Sequence, residues 1–170
     1  MKGRLAVLCM ILASFANGAW DDDVKIHPET RYECMRLPMA SQAEITMGKN
    51  PYYLRGDFDG DGRPDYAVAV RGKLTKRLGV LICVGTGIGY LLGADNPTVP
   101  PFSDMPKDLF FAPNWAALSR QETTEISKLP PFGPRVLPQI RGETIAMTWE
   151  DGTALIYWDG QRFRWLGARK

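Results

Sequence analysis

Residues 57–65 read Asp57-Phe58-Asp59-Gly60-Asp61-Gly62-Arg63-Pro64-Asp65 and place four carboxylates within nine positions. At neutral pH, carboxylates this close repel one another over distances at which salt screens weakly. The acids stand at positions 1, 3, 5 and 9, and the two glycines allow the positive backbone angles of a tight turn. Oxygen ligands at this spacing suit a hard cation with flexible coordination. The stretch therefore predicts a calcium loop.

The same spacing predicts a role for each ligand. Asp57, Asp59 and Asp61 are expected to offer side-chain oxygens, and Arg63 its backbone carbonyl. Asp65 is expected to close the shell and is able to use both of its oxygens. The alternative interpretation is an acidic, solvated turn that holds no metal.

The residues around the loop indicate which kind of calcium loop it is. A helix-loop-helix site would need a glutamate at position 12, where this chain has Val68. The flanking segments 52–54 and 66–70 are rich in aromatic and β-branched residues, which favour strands. The loop is therefore predicted to join two strands.

This strand-loop-strand unit, residues 54–68, resembles the FG-GAP repeat of integrin-like β-propellers and its bacterial relatives, the VCBS repeats. The resemblance implies that the aspartates at positions 57, 59, 61 and 65 are calcium ligands. Members of that family usually carry several copies of the motif. This chain has one copy, so a propeller is not implied.

The N-terminal residues are typical of a secretory signal peptide. Lys2 and Arg4 precede an apolar run over residues 5–16, and small residues follow at 17–19. The run is too short to span a membrane, and no other apolar stretch reaches that length. We therefore expect a signal peptide at 1–19, a single domain at 20–170, and a periplasmic or secreted protein without a transmembrane segment after cleavage.

The charge balance argues against a nucleic acid partner. Lys2 and Arg4 account for two of the 21 basic residues, which leaves 19 against 19 acidic ones. After removal of the signal peptide the chain is formally neutral. Without a run of Lys and Arg, it lacks the basic face that nucleic acid binding requires.

The cysteines indicate one disulfide. Cys9 lies in the predicted signal peptide, which leaves Cys34 and Cys83 in an oxidising compartment, where pairing is expected. Two buried free thiols are the alternative. A zinc site is disfavoured because His27 is the single histidine.

The predicted fold is mainly β, α+β with minor helix, built from antiparallel sheets. Strands at 66–71, 77–84 and 90–92 form an N-terminal meander around the calcium loop. Turns at Asp151-Gly152 and Asp159-Gly160 predict a C-terminal three-stranded meander, with Trp149 opposite Ala154 and Trp158 opposite Gln161. Brief helical segments are predicted at 29–37 and 41–48, and a longer helix at 115–128.

Three functions follow from these features. The first is an exported calcium-binding structural or interaction module with a protein or glycan partner. The second is a cell-wall or extracellular polysaccharide-binding protein that uses aromatics such as Trp115 and Trp158. The third is a carboxylate-dependent hydrolase, with Glu150 and either Asp151 or Asp159 as its acids. The sequence favours no enzyme class, because nucleophile-base pairs and phosphate-binding loops are missing.

Overall fold

The structure is a computed structural model, and it describes residues 34, 41–46, 50–95, 106, 108–109, 114–128, 132, 140–150 and 152–167. The predicted signal peptide at 1–19 lies outside these residues, as does the predicted helix at 29–37 apart from Cys34. No helix among the described residues is long and apolar enough to cross a membrane.

The first sheet surrounds the acidic loop. Its strands are β1 (Ala43–Ile45), β2 (Tyr53–Gly56), β3 (Asp65–Gly72), β4 (Leu78–Cys83) and β5 (Gly89–Gly93), all antiparallel to their neighbours. The long strand β3 is central, because β1 and β2 pair with its two halves along one edge and β4 pairs along the other. This arrangement confirms the predicted N-terminal meander.

The second sheet has the order β6-β7-β8-β9. Its strands are β6 (Asn114–Leu118), β7 (Thr144–Trp149), β8 (Gly152–Trp158) and β9 (Phe163–Gly167), and the helix α1 (Arg120–Lys128) follows β6. Strands β7 to β9 are the predicted C-terminal meander, to which β6 adds a fourth strand. The mainly β fold with minor helix is confirmed.

The two sheets pack face to face around one hydrophobic core. Alternate residues of β3 and β4, such as Ala67, Ala69, Val80 and Ile82, face alternate residues of the second sheet. The contributions from the second sheet are Trp115, Ile145, Met147, Ile156 and Phe163. Strand β4 is buried along its whole length, as its unbroken apolar sequence predicts.

The outer face of each sheet is also covered. Behind the first sheet, Val68, Val70 and Leu81 pack with Cys34, which forms a disulfide with Cys83 across a Cα–Cα distance of 5.4 Å. The predicted disulfide is therefore confirmed. Behind the second sheet, Leu155 packs with Phe132 and with Ile126 of α1.

The predicted helix at 115–128 is wrong in its first third. Residues 114–118 form β6, because alternation directs Trp115 and Ala117 toward the core between the sheets. Helix α1 begins after Ser119, which exchanges hydrogen bonds with Glu122 in a capping box. The predicted turn of helix at 41–48 is likewise wrong over residues 43–45, which form β1.

The predicted faces of the C-terminal meander are right, but its register is wrong by two residues. Trp149 lies opposite Gly152 rather than Ala154, and Trp158 lies opposite Phe163 rather than Gln161. The second connection is a four-residue loop closed by a bond from Asp159 N to Arg162 O. A shift of two leaves every side chain on its predicted face, because the side-chain period of a strand is two.

Candidate metal centre

The acidic loop connects two paired strands at adjacent positions. Gly56, the last residue of β2, lies opposite Asp65, the first residue of β3. The chain therefore leaves and re-enters the sheet at one point, and residues 57–64 curl between. Gly60 and Gly62 have φ angles of 78° and 85°, as the turn prediction requires.

Three of the predicted ligands come together in this loop. The carboxylates of Asp57, Asp59 and Asp61 each present an oxygen, and these atoms lie within 4.8 Å of one another. Asp57 and Asp59 are half-buried and Asp61 is exposed. Carboxylate oxygens at this separation are able to contact one cation with ligand distances of about 2.3–2.6 Å.

Backbone N–H groups hold these carboxylates in place. Gly60 N and Gly62 N donate to the two oxygens of Asp57, at 2.8 and 3.1 Å. Asp61 N donates to Asp59, and Arg63 N donates to Asp61 at 2.7 Å. The loop thus folds around its own acids, and each N–H dipole offsets part of their negative charge.

Asp65 occupies a different position from the other three acids. Its side chain is fully buried, and it accepts bonds from Phe58 N at 2.7 Å, Asp59 N at 3.2 Å and Gly85 N at 2.8 Å. It lies outside the group of three carboxylates that converge. Asp65 therefore fixes the start of the loop and ties it to the turn between β4 and β5. Its role as a ligand stays a prediction.

Arg63 is exposed, and its side chain lies beside the same turn. Its Cβ is 2.9 Å from the position that a Cβ on Gly85 would occupy. Any larger residue at position 85 would displace the side chain of Arg63. The predicted contribution of the Arg63 carbonyl to a metal stays a prediction.

The electrostatics of the loop favour protonation or a cation. Burial raises the pKa of Asp65 from 3.8 to about 6, against the opposing effect of the Gly85 N–H. Burial also raises the pKa of Asp59, and the negative charges of Asp61 and Asp57 raise it further. Burial raises the pKa of Tyr90 of β5, and the negative charge of Asp59 raises it further.

A segment before β7 packs onto the acidic loop, and sequence reasoning missed it. Glu143 N donates to Asp57 O at 2.7 Å. A Cβ on Gly142 would lie 2.7 Å from the backbone of Phe58, and one on Gly60 would lie 2.7 Å from Arg141 O. The two backbones thus touch where both have glycine. The glycines are visible in the sequence, but nothing there indicates that they meet.

Arg141 also reaches the second sheet. Its guanidinium group lies 3.2 Å from the position that a Cβ on Gly160 would occupy, in the loop between β8 and β9. We name residues 141–143 the bridging segment, because they contact the acidic loop on one side and lead directly into β7 on the other. The loop is thereby fixed to both sheets.

The other residues singled out in the sequence have structural partners. Trp115 is 4% exposed, and its indole N–H donates to Pro51 O at 2.6 Å, so it offers no surface for a sugar. Trp158 is half-buried and packs edge-on against Tyr90 and Phe163.

Of the acids suggested for a hydrolase, Asp159 is bonded to residues of its own loop and of β9. Asp159 accepts bonds from Gln161 N, Arg162 N and the Arg164 guanidinium group. Although partial burial acts to raise it, the pKa of Asp159 is lowered by these bonds and by the charge of Arg164. Glu150 is exposed, and Asp151 lies outside the described residues.

Comparison with protein-family models, with curated proteins and with solved structures finds no match for this chain. The resemblance of residues 54–68 to an FG-GAP repeat therefore stays a prediction. What is known of the site is its geometry: three converging carboxylates on a loop held to two sheets.

Proposed function

We propose that this chain is a calcium-binding module whose ion stabilises the acidic loop and whose role is structural or interactive. The observation that carries the proposal is the convergence of the Asp57, Asp59 and Asp61 oxygens within 4.8 Å. Three negative charges at that distance repel, and a divalent cation among them converts the repulsion into attraction.

The chemistry of the donors favours calcium over other divalent ions. All the donors are oxygens, which disfavours zinc and copper, and the loop contains no nitrogen or sulfur ligand. Magnesium demands strict octahedral geometry and keeps its water, whereas calcium accepts six to eight oxygens in a flexible shell. Arg63 O and Asp65 would complete that shell.

The proposed ion would strengthen the connection between the two sheets. The acidic loop is bonded to the bridging segment through Glu143 N and Asp57 O, and to the β4–β5 turn through Asp65 and Gly85 N. Neutralising the loop would therefore strengthen contacts that reach β4, β5 and β7 at once. A rigid connection between the sheets suits a module that presents a fixed surface to a protein or glycan.

The compartment forms part of the proposal. The disulfide between Cys34 and Cys83 is consistent with an oxidising environment. We place the protein in the periplasm or outside the cell, where the predicted signal peptide would direct it.

Thermal unfolding with calcium and with chelator tests the proposal. For a dissociation constant of about 10 µM, calcium at about 1 mM stabilises the folded state by roughly 2.7 kcal/mol. For a chain of this size, that corresponds to a rise in Tm of about 5–10 °C. Asp59→Asn should remove the rise.

Glu125→Gln is the matched control, because Glu125 is an exposed acid on α1 that pairs with Lys128. It should retain the full calcium response. An unchanged Tm in the wild-type protein, or an equal response in Asp59→Asn, would contradict the proposal.

A further inference from the structure

The turn between β3 and β4 exposes a leucine to solvent. Leu74 is 96% exposed, and the other large hydrophobic side chain exposed among the described residues is Ile88, at 53%. We name residues 71–77, Arg71-Gly72-Lys73-Leu74-Thr75-Lys76-Arg77, the basic tip. An apolar side chain this exposed gains free energy from any partner that removes it from water.

Positive charge surrounds this leucine. The basic tip contains four cationic residues and no acidic one. Lys76 lies 3.9 Å from Glu44, and Arg77 lies 3.2 Å from Asp95. Among the described residues, Lys73 and Arg71 form no ion pair, so they leave an excess of positive charge beside Leu74.

The basic tip is rigid, which distinguishes it from an ordinary solvated loop. Lys76 N donates to Gly72 O, Gly72 N to Arg77 O and Lys73 N to Gln42 O, each at 2.9 Å. The Thr75 hydroxyl donates to Ala94 O at 2.7 Å. The conformation that exposes Leu74 is therefore fixed before any partner arrives, which lowers the entropic cost of binding.

Backbone strain is concentrated at the same end of the sheet. The described non-glycine residues with positive φ are Lys76, Ala94 and Asp95, at 57°, 54° and 52°. Ala94 accepts the Thr75 bond and Asp95 pairs with Arg77, so all three belong to one bonded unit. Strained backbone of this kind clusters where binding requires a fixed geometry.

We propose that the basic tip docks onto a membrane surface rich in anionic phospholipid. Leu74 would enter the acyl boundary, and Lys73 and Arg71 would contact phosphate groups. A bilayer accepts one protruding aliphatic side chain ringed by cations, whereas a protein partner of ordinary affinity needs a broad complementary face.

The proposed docking would turn the acidic loop away from the membrane. The loop ends where β3 begins, and Leu74 lies beyond the last residue of β3, so this strand of eight residues, roughly 25 Å long, separates Leu74 from the loop. Docking is therefore independent of calcium, and the two proposals fail or succeed separately.

Sedimentation with lipid vesicles in the presence of EDTA tests this inference. The full chain and its variants are mixed with vesicles of phosphatidylcholine alone and of phosphatidylcholine with phosphatidylglycerol. Binding to the anionic vesicles should exceed binding to the neutral ones and should weaken with added salt. Leu74→Ser should weaken it about tenfold or more, and Lys73→Glu about fivefold or more.

Two matched variants control for loss of an apolar group and for change of charge. Ile88→Ser removes an exposed aliphatic side chain from the turn between β4 and β5, and Arg120→Glu reverses an exposed charge at the start of α1. Both should bind like the wild type, and an unchanged Tm in all four variants excludes misfolding. Equal binding by Leu74→Ser and Ile88→Ser, or absence of binding to anionic vesicles, would overturn the proposal, and the latter would point to a protein partner.

Discussion

Replacing Asp65 with alanine tests the structural basis of the acidic loop most severely. Asp65 is fully buried and accepts three backbone N–H bonds, from Phe58, Asp59 and Gly85. In the alanine variant, the N–H of Phe58 is left without a partner in a buried position, while those of Asp59 and Gly85 have partial access to water. A buried unpaired donor costs about 1–3 kcal/mol, so we expect a total loss of about 2–4 kcal/mol in unfolding free energy.

The pH dependence of this loss gives a sharper test. The folded pKa of Asp65, about 6, lies above its unfolded value near 3.8. The native state therefore binds the extra proton between these values, so the contribution of Asp65 to stability is full below pH 3.8 and is lost as the pH rises through 6. Lowering the pH from 7 to 5 should stabilise the wild type by roughly 1 kcal/mol through this group alone.

Urea unfolding followed by tryptophan fluorescence in EDTA measures both effects. The stability difference between wild type and Asp65→Ala should be larger at pH 5 than at pH 7 by roughly 1 kcal/mol. A difference that stays constant or shrinks at pH 5 would refute the burial and the raised pKa of Asp65.

Three further substitutions test other contacts. Gly142→Ala should lower the unfolding free energy measured in urea by about 1–3 kcal/mol, because the added Cβ would meet the backbone of Phe58. An unchanged stability would show that the bridging segment does not pack tightly on the acidic loop. Asp159→Asn should cost about 1 kcal/mol in unfolding free energy at pH 7, because it removes the ion pair with Arg164. Since the folded state lowers the pKa of Asp159, this cost should fade as the pH drops below 3.8. A cost that persists in acid would contradict the ion pair. Replacing both Cys34 and Cys83 with serine should cost about 4 kcal/mol for a sequence separation of 49, and a loss below about 1 kcal/mol would show that the disulfide contributes little.

Local sequence patterns predicted strands β2 to β5 of the first sheet, but not β1. Two strands around a turn with Gly60 and Gly62, followed by the continuous apolar run of β4, leave few alternative arrangements. The disulfide also followed from the sequence, since Cys34 and Cys83 are the two cysteines outside the predicted signal peptide. These features depend on residues close together in the chain or on simple chemistry.

Features that depend on distant contacts could not be predicted. Residues 114–118 form a strand because they pair with β7, although Ala116, Ala117 and Leu118 are strong helix formers. The capping box of Ser119 and Glu122 was a visible signal for the start of α1. The register of the C-terminal hairpins differs by two from the prediction because Asp-Gly marks a turn without fixing which residues pair on either side of it.

In the acidic site, too, the sequence predicted the local contacts and missed the distant ones. The spacing of Asp57, Asp59 and Asp61 in the sequence was enough to predict that their carboxylates converge, because the three residues share one tight turn. The separate position of Asp65 depends on Gly85, twenty residues away, and the bridging segment lies about eighty residues from the loop. Such contacts arise from the packing of two sheets, which a local pattern does not encode.

Equilibrium dialysis against radioactive calcium tests the central claim most directly. The account predicts that the purified chain takes up one calcium ion, with a dissociation constant on the order of 10 µM, as in the stability calculation above. It also predicts that Asp59→Asn loses this uptake while Glu125→Gln retains it. Absence of calcium uptake by the folded wild-type chain at about 1 mM free calcium would contradict it.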